Sequence, residues 1–354
     1  MRSATRPEGV GPQTLDDLTD VMELLFESGW TDGLPVVPPT PRNVQRMLTG
    51  TTRPPDEWIG RIPPKGGRAT VEKIAINAVM AGCKPAYLPV VITAVEALLD
   101  DRCNTRGVQC STHISTPLVI VNGPIVRELD INSGHNVFGQ GWRANATIGR
   151  AVKLVLVNLG GAIPGVTDKA TFGHPGKFTY CIAENDAANP WEPLHVERGF
   201  VPADSTVTVF GAEAPHNINN HWSATPHGLL QTVADTMATL GSNHLYLGGE
   251  SFIVLGPEHA DVLAKAGWTK RDVRAFLFEH ARKLISQVKI GGMYGPETRR
   301  NLWPRWIDHE NEAERIPIAR RAEDIAILVA GGAGRHSVYL PGWGSRSVTR
   351  KIER

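Results

Sequence analysis

The chain has 354 residues, 41% hydrophobic and 21% charged, a balance that excludes a disordered or collagen-like protein and allows one large core or two ordinary domains. Its 37 Lys+Arg against 36 Asp+Glu leave a formal charge of +1, so no broad basic field exists to hold a nucleic-acid backbone or an anionic membrane. The 36 glycines and 26 prolines are roughly 10% and 7% of the chain, above the usual ~7% and ~5%, and signal many special backbone positions.

The four cysteines, Cys83, Cys103, Cys110 and Cys181, form no CxxC and are far too sparse for a disulfide scaffold. They read as reduced thiols in a cytoplasm. Residues 1–20 hold no 7–15-residue apolar stretch, so no secretory signal is expected. The longest apolar runs fall far short of the roughly 20 residues of a membrane span.

In chain order, residues 15–28 place Leu15, Leu18, Val21, Met22, Leu24 and Leu25 at helical spacing, with Gly29 as a stop. Asp32-Gly33-Leu34-Pro35-Val36-Val37-Pro38-Pro39-Thr40 follows, where the prolines forbid a central strand and favour an extended ribbon. Thr40 is placed to cap a short helix over 41–48, and Thr70 a helix that Gly82 ends. Further apolar helices are expected over 88–99, paired with the preceding one, and over 146–158. Four apolar runs, 118–121, 207–210, 252–255 and 325–329, each end in glycine-containing segments and read as strands buried between two layers. A helix over 258–266 after the third run supplies the β-to-α order of an α/β fold.

These elements predict an α/β fold: a layered sheet, mostly parallel or mixed, with helices on both faces and an N-terminal helical region. The chain divides either into an N-terminal helix and Pro-rich ribbon (1–50), an N-terminal α/β half (51–190) and a C-terminal α/β half (191–354), or forms one interlocked domain. The two halves show no persuasive internal repeat. If the strands run parallel, their carboxyl ends share one edge, where open α/β sheets place ligands.

Five constellations carry candidate chemistry. Gly331, Gly332 and Gly334 with Arg335, His336 and Ser337 form a glycine-rich loop after a strand, whose backbone N–H groups and guanidinium suit an anion. The spacing is neither GxGxxG nor GxxxxGK[ST], and a tight turn is the alternative. His216, Asn217 and His221 lie just beyond run 207–210. A loop can bring both histidines to a divalent transition metal with a third ligand such as Glu250, His244, His113 or His336, or the same residues form a hydrogen-bonded Asx-rich loop. Cys110 and His113 are three apart, which suits a thiolate–imidazole nucleophile, although such pairs usually come from distant segments. Arg143 before the 146–158 helix and Lys65 with two glycines before the 70–82 helix are positioned to orient an anion, or are solvated loops beside capped helices. Asn122 closes run 118–121 at the same expected edge. Arg150, flanked by apolar residues, is expected to reach a partner acid.

The chain resembles the family of UGSC-motif (seleno)proteins, specifically the larger domain that follows their short redox motif. The resemblance is carried by residues 32–40, the 71–83 helix, Gly256-Pro257-Glu258-His259-Ala260 with 266–274, and the closing Gly331-Gly332-Ala333-Gly334-Arg335-His336-Ser337 with Ser347-Val348-Thr349-Arg350. It implies an oxidoreductase setting in which a selenocysteine or cysteine does the redox work. No Cys-Gly-Ser-Cys string is present, so either a small Cys- or Sec-bearing subunit supplies that motif or the scaffold serves other chemistry.

The function expected is an enzyme, or the large substrate-binding subunit of one, acting on a small anionic organic molecule in a homo- or hetero-oligomer. His336, His216 and His113 would serve as acid–base groups and Arg335, Arg143 or Lys65 as anchors. The alternatives are a metal-dependent hydrolase or lyase centred on His216 and His221, and a non-catalytic assembly subunit.

Overall fold

The computed structural model describes residues 17–290, 307, 308 and 310–354. Helix α1 (Asp17–Glu27) matches the expected first helix, whose Leu15 lies outside the described residues. The ribbon that follows is extended and fastened at two points. Val37 N–H donates to Met80 O at 3.1 Å, and the Asp32 carboxylate accepts two hydrogen bonds from Arg150, at 2.8 and 2.7 Å. Arg150 thus has the partner acid its apolar flanks require.

Helix α2 (Pro41–Leu48) begins with Thr40 Oγ1 accepting from Asn43 N–H, and proline occupies its first turn, where the missing N–H costs nothing. Strands β1 (Trp58–Ile62) and β2 (Gly67–Thr70) make an antiparallel hairpin. Lys65 sits in its turn, exposed, with its methylenes against Gly161. The expected anion loop is therefore a β-turn. Thr70 caps α3 (Val71–Ala81), and Gly82, at φ 86°, ends it in the left-handed region that a residue with a Cβ avoids. Helices α4 (Leu88–Leu98) and α5 (Thr105–Cys110) follow.

The rest of the chain builds two sheets. The first half supplies β3 (Thr116–Asn122), α6 (Ile125–Glu128), α7 (Arg143–Asn158), β4 (Cys181–Ala183), α8 (Leu194–Glu197), β5 (Thr206–Ala212) and β6 (His216–Asn219). The second supplies α9 (Pro226–Met237), α10 (Asn243–Leu247), β7 (Ser251–Leu255), α11 (Pro257–Lys265), α12 (Lys270–His280), β8 (Arg282–Leu284), β9 (Arg315–Pro317), β10 (Ile325–Val329), β11 (His336–Leu340) and β12 (Val348–Lys351). β8 and β9 form a separate small hairpin.

Sheet 1 runs β12-β5-β3-β4 and sheet 2 runs β10-β7-β11-β6. In sheet 1, β3 is parallel to β4 and antiparallel to β5, and β5 is antiparallel to β12. In sheet 2, β7 is parallel to β10 and antiparallel to β11, and β11 is antiparallel to β6. The two patterns are the same. Each half contributes three strands to its own sheet and sends its last strand, β6 or β12, to the other. The repeat lies in topology, with one faint trace in sequence: β3 and β7 are both followed by Gly-Pro and a helix, at Gly123-Pro124 and Gly256-Pro257. Sheet 1 takes strands from both sides of residue 191, so a cut there divides it.

The layers follow from strand periodicity. Leu118, Ile120 and Phe210 point inward and meet Phe252, Val254, Ala326, Leu328 and Leu340 of sheet 2 in one buried cluster, with the Phe210 and Phe252 rings 4.7 Å apart. Val119, Val121, Val207 and Val209 point outward into the core formed with α3, α4 and α7. Ile253, Leu255, Ile325 and Ile327 point outward against α9, α11 and α12. The expected α/β class and mixed pairing are present, but the sheet is two sheets, each covered by helices on its outer face only.

Strand direction decides where the loops go. Asn185 N–H donates to Val329 O at 2.8 Å, so the carboxyl ends of β4 and β10 meet at one edge. Glu213 N–H donates to Pro341 O at 3.0 Å, so β5 and β11 end together at the opposite edge. A seven-residue strand separates the two by roughly 20 Å. The expectation of one shared carboxyl edge fails because β5 is antiparallel to β3.

Candidate functional site

The expected site residues are divided between these edges. At the carboxyl edge of sheet 2, His336 Nε2 lies 3.2 Å from His221 Nε2, both rings exposed. Arg335 Nη1 donates to the carbonyls of His221 (3.0 Å) and Ser223 (3.3 Å), and its Nε lies 3.6 Å from Glu258 Oε2. Gly331 N–H donates to Ser133 O at 2.8 Å and Gly334 N–H to Glu258 Oε1 at 2.8 Å. Gly332 lies so close under His135 that a Cβ would fall 1.9 Å from its Nδ1. The glycine-rich loop does receive a carboxylate, but it is the chain's own Glu258, and Arg335 clamps a loop.

Ser337 is buried and bonded to His259 Nδ1 at 2.7 Å, while Gly256 N–H donates to its Oγ at 3.2 Å. His259 Nε2 faces Asn220 O at 3.0 Å. A carbonyl can only accept, so Nε2 carries the proton and Nδ1 accepts from the serine hydroxyl. Burial lowers the His259 pKa, which keeps that tautomer neutral. This buried dyad ties β11 to α11.

Asn122, at the carboxyl end of β3, is fully buried and donates to Glu184 Oε2 at 2.5 Å. Glu184 also accepts from Leu194 N–H and Asn189 Nδ2, and burial raises its pKa. An adjoining cavity of about 790 Å³ is lined by Arg127, Glu128, Asp130, Glu184 and Asp186 among others. With four carboxylates to one guanidinium, it is a poor host for an anion.

His216 and Asn217 are exposed on edge strand β6, opposite Tyr339 and Val338. Glu250 precedes β7, at the opposite end of that strand from the His221–His336 pair, where it pairs with Arg198 at 2.7 Å and accepts from Ser347 N–H at 2.7 Å. The expected metal set of His216, His221 and Glu250 is therefore not assembled. Among the described residues no group of three His, Cys, Asp or Glu side chains is placed to hold a metal. Arg143 is spent on the carbonyl of the residue that caps α3, donating to Gly82 O at 3.1 and 2.8 Å.

The remaining candidates, His113 and Cys110, sit at the amino edge of β3 beside residues the sequence reading did not single out. His113 Nε2 lies 2.8 Å from Glu213 Oε1, its Nδ1 accepts from Ser115 N–H, and its ring stacks on Trp343 with centroids 5.5 Å apart. Both nitrogens being engaged, His113 holds Glu213 and the Trp343 loop in place and has no free base. Cys110 is exposed at the end of α5.

Next to them lies Lys153, on α7, 6% exposed. Its Nζ donates to Gln109 Oε1 at 3.3 Å, a neutral amide. Burial, then the charge of Lys177, pulls its pKa down to about 8, while Asp168 acts weakly the other way. Asp168 itself is committed to Lys177, at 2.9 and 2.7 Å. His174 is pushed down to about 4 by burial and by Lys177, so its ring is neutral at pH 7. Its Nδ1 accepts from Gly176 N–H, leaving the proton on Nε2, which faces the Ala212 carbonyl. Ser115 Oγ is buried without a partner.

The amino edge thus collects donors that the protein leaves under-used: a buried ammonium with one amide acceptor and a buried hydroxyl. Such a set suits the oxygens of a small anion. Lys153 had a signal in the sequence, a lone lysine in Ala151-Val152-Lys153-Leu154-Val155. His174 and Asp168 come from a long loop with no periodicity to mark them.

No protein-family model matches the chain, and no curated protein matches it. No helix among the described residues is long and apolar enough to cross a membrane.

Proposed function

We propose that the chain is the substrate-holding component of an oxidoreductase acting on a small anionic organic molecule, bound at the amino edge of β3. The observation that carries this is Lys153, a buried ammonium whose one hydrogen-bond partner is an amide oxygen. A carboxylate, sulfonate or phosphate placed there would give the Lys153 ammonium a charged acceptor in addition to the Gln109 amide.

The cysteines favour an external redox group. Burial pushes Cys83 and Cys103 up to about 12 and Cys181 higher still, so these three remain thiols at pH 7. Cys110 is the exposed cysteine, and the other three are buried with none in a disulfide. A two-electron thiol–disulfide cycle at this edge therefore needs a second sulfur or selenium from another chain. That fits the resemblance to the UGSC-motif family, in a chain without the motif.

Calorimetric titration with a panel of small carboxylates, sulfonates and phosphates tests the reading. The wild-type chain should bind one class, and Lys153→Met should weaken it at least about tenfold. The same variant should gain about 1–3 kcal/mol of stability at pH 7, because a desolvated charge is replaced by an apolar side chain of similar length. Equal binding by the variant, or no binding by any class, overturns the anion site. Turnover of substrate by the isolated chain with a chemical reductant overturns the need for a partner.

A further inference from the structure

The His221–His336 pair has no part in the amino-edge site. The two Nε2 atoms are 3.2 Å apart, the ring planes stand 83° to each other, and both side chains are exposed. Two imidazoles bound to one metal at about 2.0–2.1 Å, with an angle between tetrahedral and square, place their nitrogens about 3.0–3.4 Å apart. The observed separation already falls in that range. The pair is also held from behind. His221 rides on a loop whose carbonyls at Asn220, His221 and Ser223 are taken by His259 and Arg335, while Asn220 Nδ2 donates to Thr232 Oγ1 at 2.8 Å. His336 opens β11 and faces Asn219 across the β6–β11 register, which puts an exposed amide on the strand position opposite it. The neighbouring cation Arg335 is offset by Glu258.

We propose that His221 and His336 form a two-imidazole site for a divalent transition metal, with water completing the shell and the Asn219 side chain within reach as an oxygen donor. Neutral imidazoles select copper, nickel and zinc over magnesium or calcium, and copper binds most tightly by the usual order of divalent affinities. A depression of about 410 Å³ lined by Asn219, Asn220, His221, Trp222 and Ser223 leaves the metal open to water and to a further ligand. Trp222, 94% exposed, flanks the site and offers an optical reporter.

The test is titration of the tag-free full chain with Cu²⁺ and, separately, with Zn²⁺ against a chromogenic chelator. One equivalent should bind, Trp222 emission should fall with Cu²⁺, and electron paramagnetic resonance should show two imidazole nitrogens. His221→Ala and His336→Ala should each weaken binding at least about tenfold, since a second ligand on the same scaffold acts as an intramolecular one. His216→Ala should change nothing. Both histidines are on the surface, and circular dichroism of each variant confirms that it folds. Wild-type affinity no greater than that of His336→Ala, or binding removed by His216→Ala, overturns the site.

Discussion

Ala212 and Gly342 face each other in an isolated antiparallel bridge at the point where the two halves of the chain exchange their last strands. Glu213 N–H and Pro341 O hold the same crossing. The backbone here is crowded: a Cβ on Gly342 would lie 1.8 Å from Glu250 O, a main-chain atom that cannot rotate away. Gly342→Ala should therefore destabilise the whole protein by about 3 kcal/mol or more, the range of strained or overpacked core substitutions. Because each sheet contains strands of both halves, urea unfolding followed by near-UV and far-UV dichroism should remain one coincident transition at a lower midpoint. A shift below about 0.5 kcal/mol would show that the crossing is loose.

The proline ribbon depends on one buried clamp. Arg150 and Asp32 form a two-bond ion pair with side chains 15% and 9% exposed, and Arg150 also donates to Leu34 O at 3.2 Å. Arg150→Ala leaves the Asp32 carboxylate without its partner, which should cost about 2–4 kcal/mol. Limited proteolysis should then cut within residues 29–40 while the two sheets stay protected. An unchanged digestion pattern would count against the clamp.

Acid should unfold this protein through histidines as well as carboxylates. His244 is fully buried with both ring nitrogens unpartnered, and burial lowers its pKa from 6.5 to about 4. His174 is lowered to about 4 as well. Between these values the unfolded chain takes up protons that the folded chain refuses, so the stability contribution is whole above pH 6.5 and drains away as pH falls toward 4. For His244 the limit is about 3 kcal/mol. Unfolding free energies measured from pH 7 to 4 should fall steeply for wild type and less so for His244→Phe. Parallel curves would mean that His244 protonates freely in the folded state.

Much of the fold was legible because its cause is local. The runs 118–121, 207–210, 252–255 and 325–329 became β3, β5, β7 and β10, since aliphatic residues covered on both faces need a layer on each side. Thr40, Thr70 and Gly82 punctuate helices through their own side chains or lack of one. Arg150 announced its acid by apolar neighbours. The short edge strands β6 and β12 carried no such mark, because their burial comes from the sheets they join.

The candidate site was legible only in part. His113 and Cys110 drew notice by residue type, and His336 was one of several candidate third ligands for His216 and His221. Nothing local pairs His221 with His336 across 115 positions, or sets Lys153 beside Gln109 and His174. A side chain's partner depends on which way each strand runs.

Sequence by itself determined the alternation of strands and helices, their caps, and the surplus of glycine and proline at the turns, because each follows from a residue and its near neighbours. Tertiary structure alone decided that β5 opposes β3, that the halves trade their final strands, and so that His113 and His336 face opposite edges. Pairing direction is set by crossovers and long-range packing, where many weak contacts summed over the whole chain outweigh any local preference.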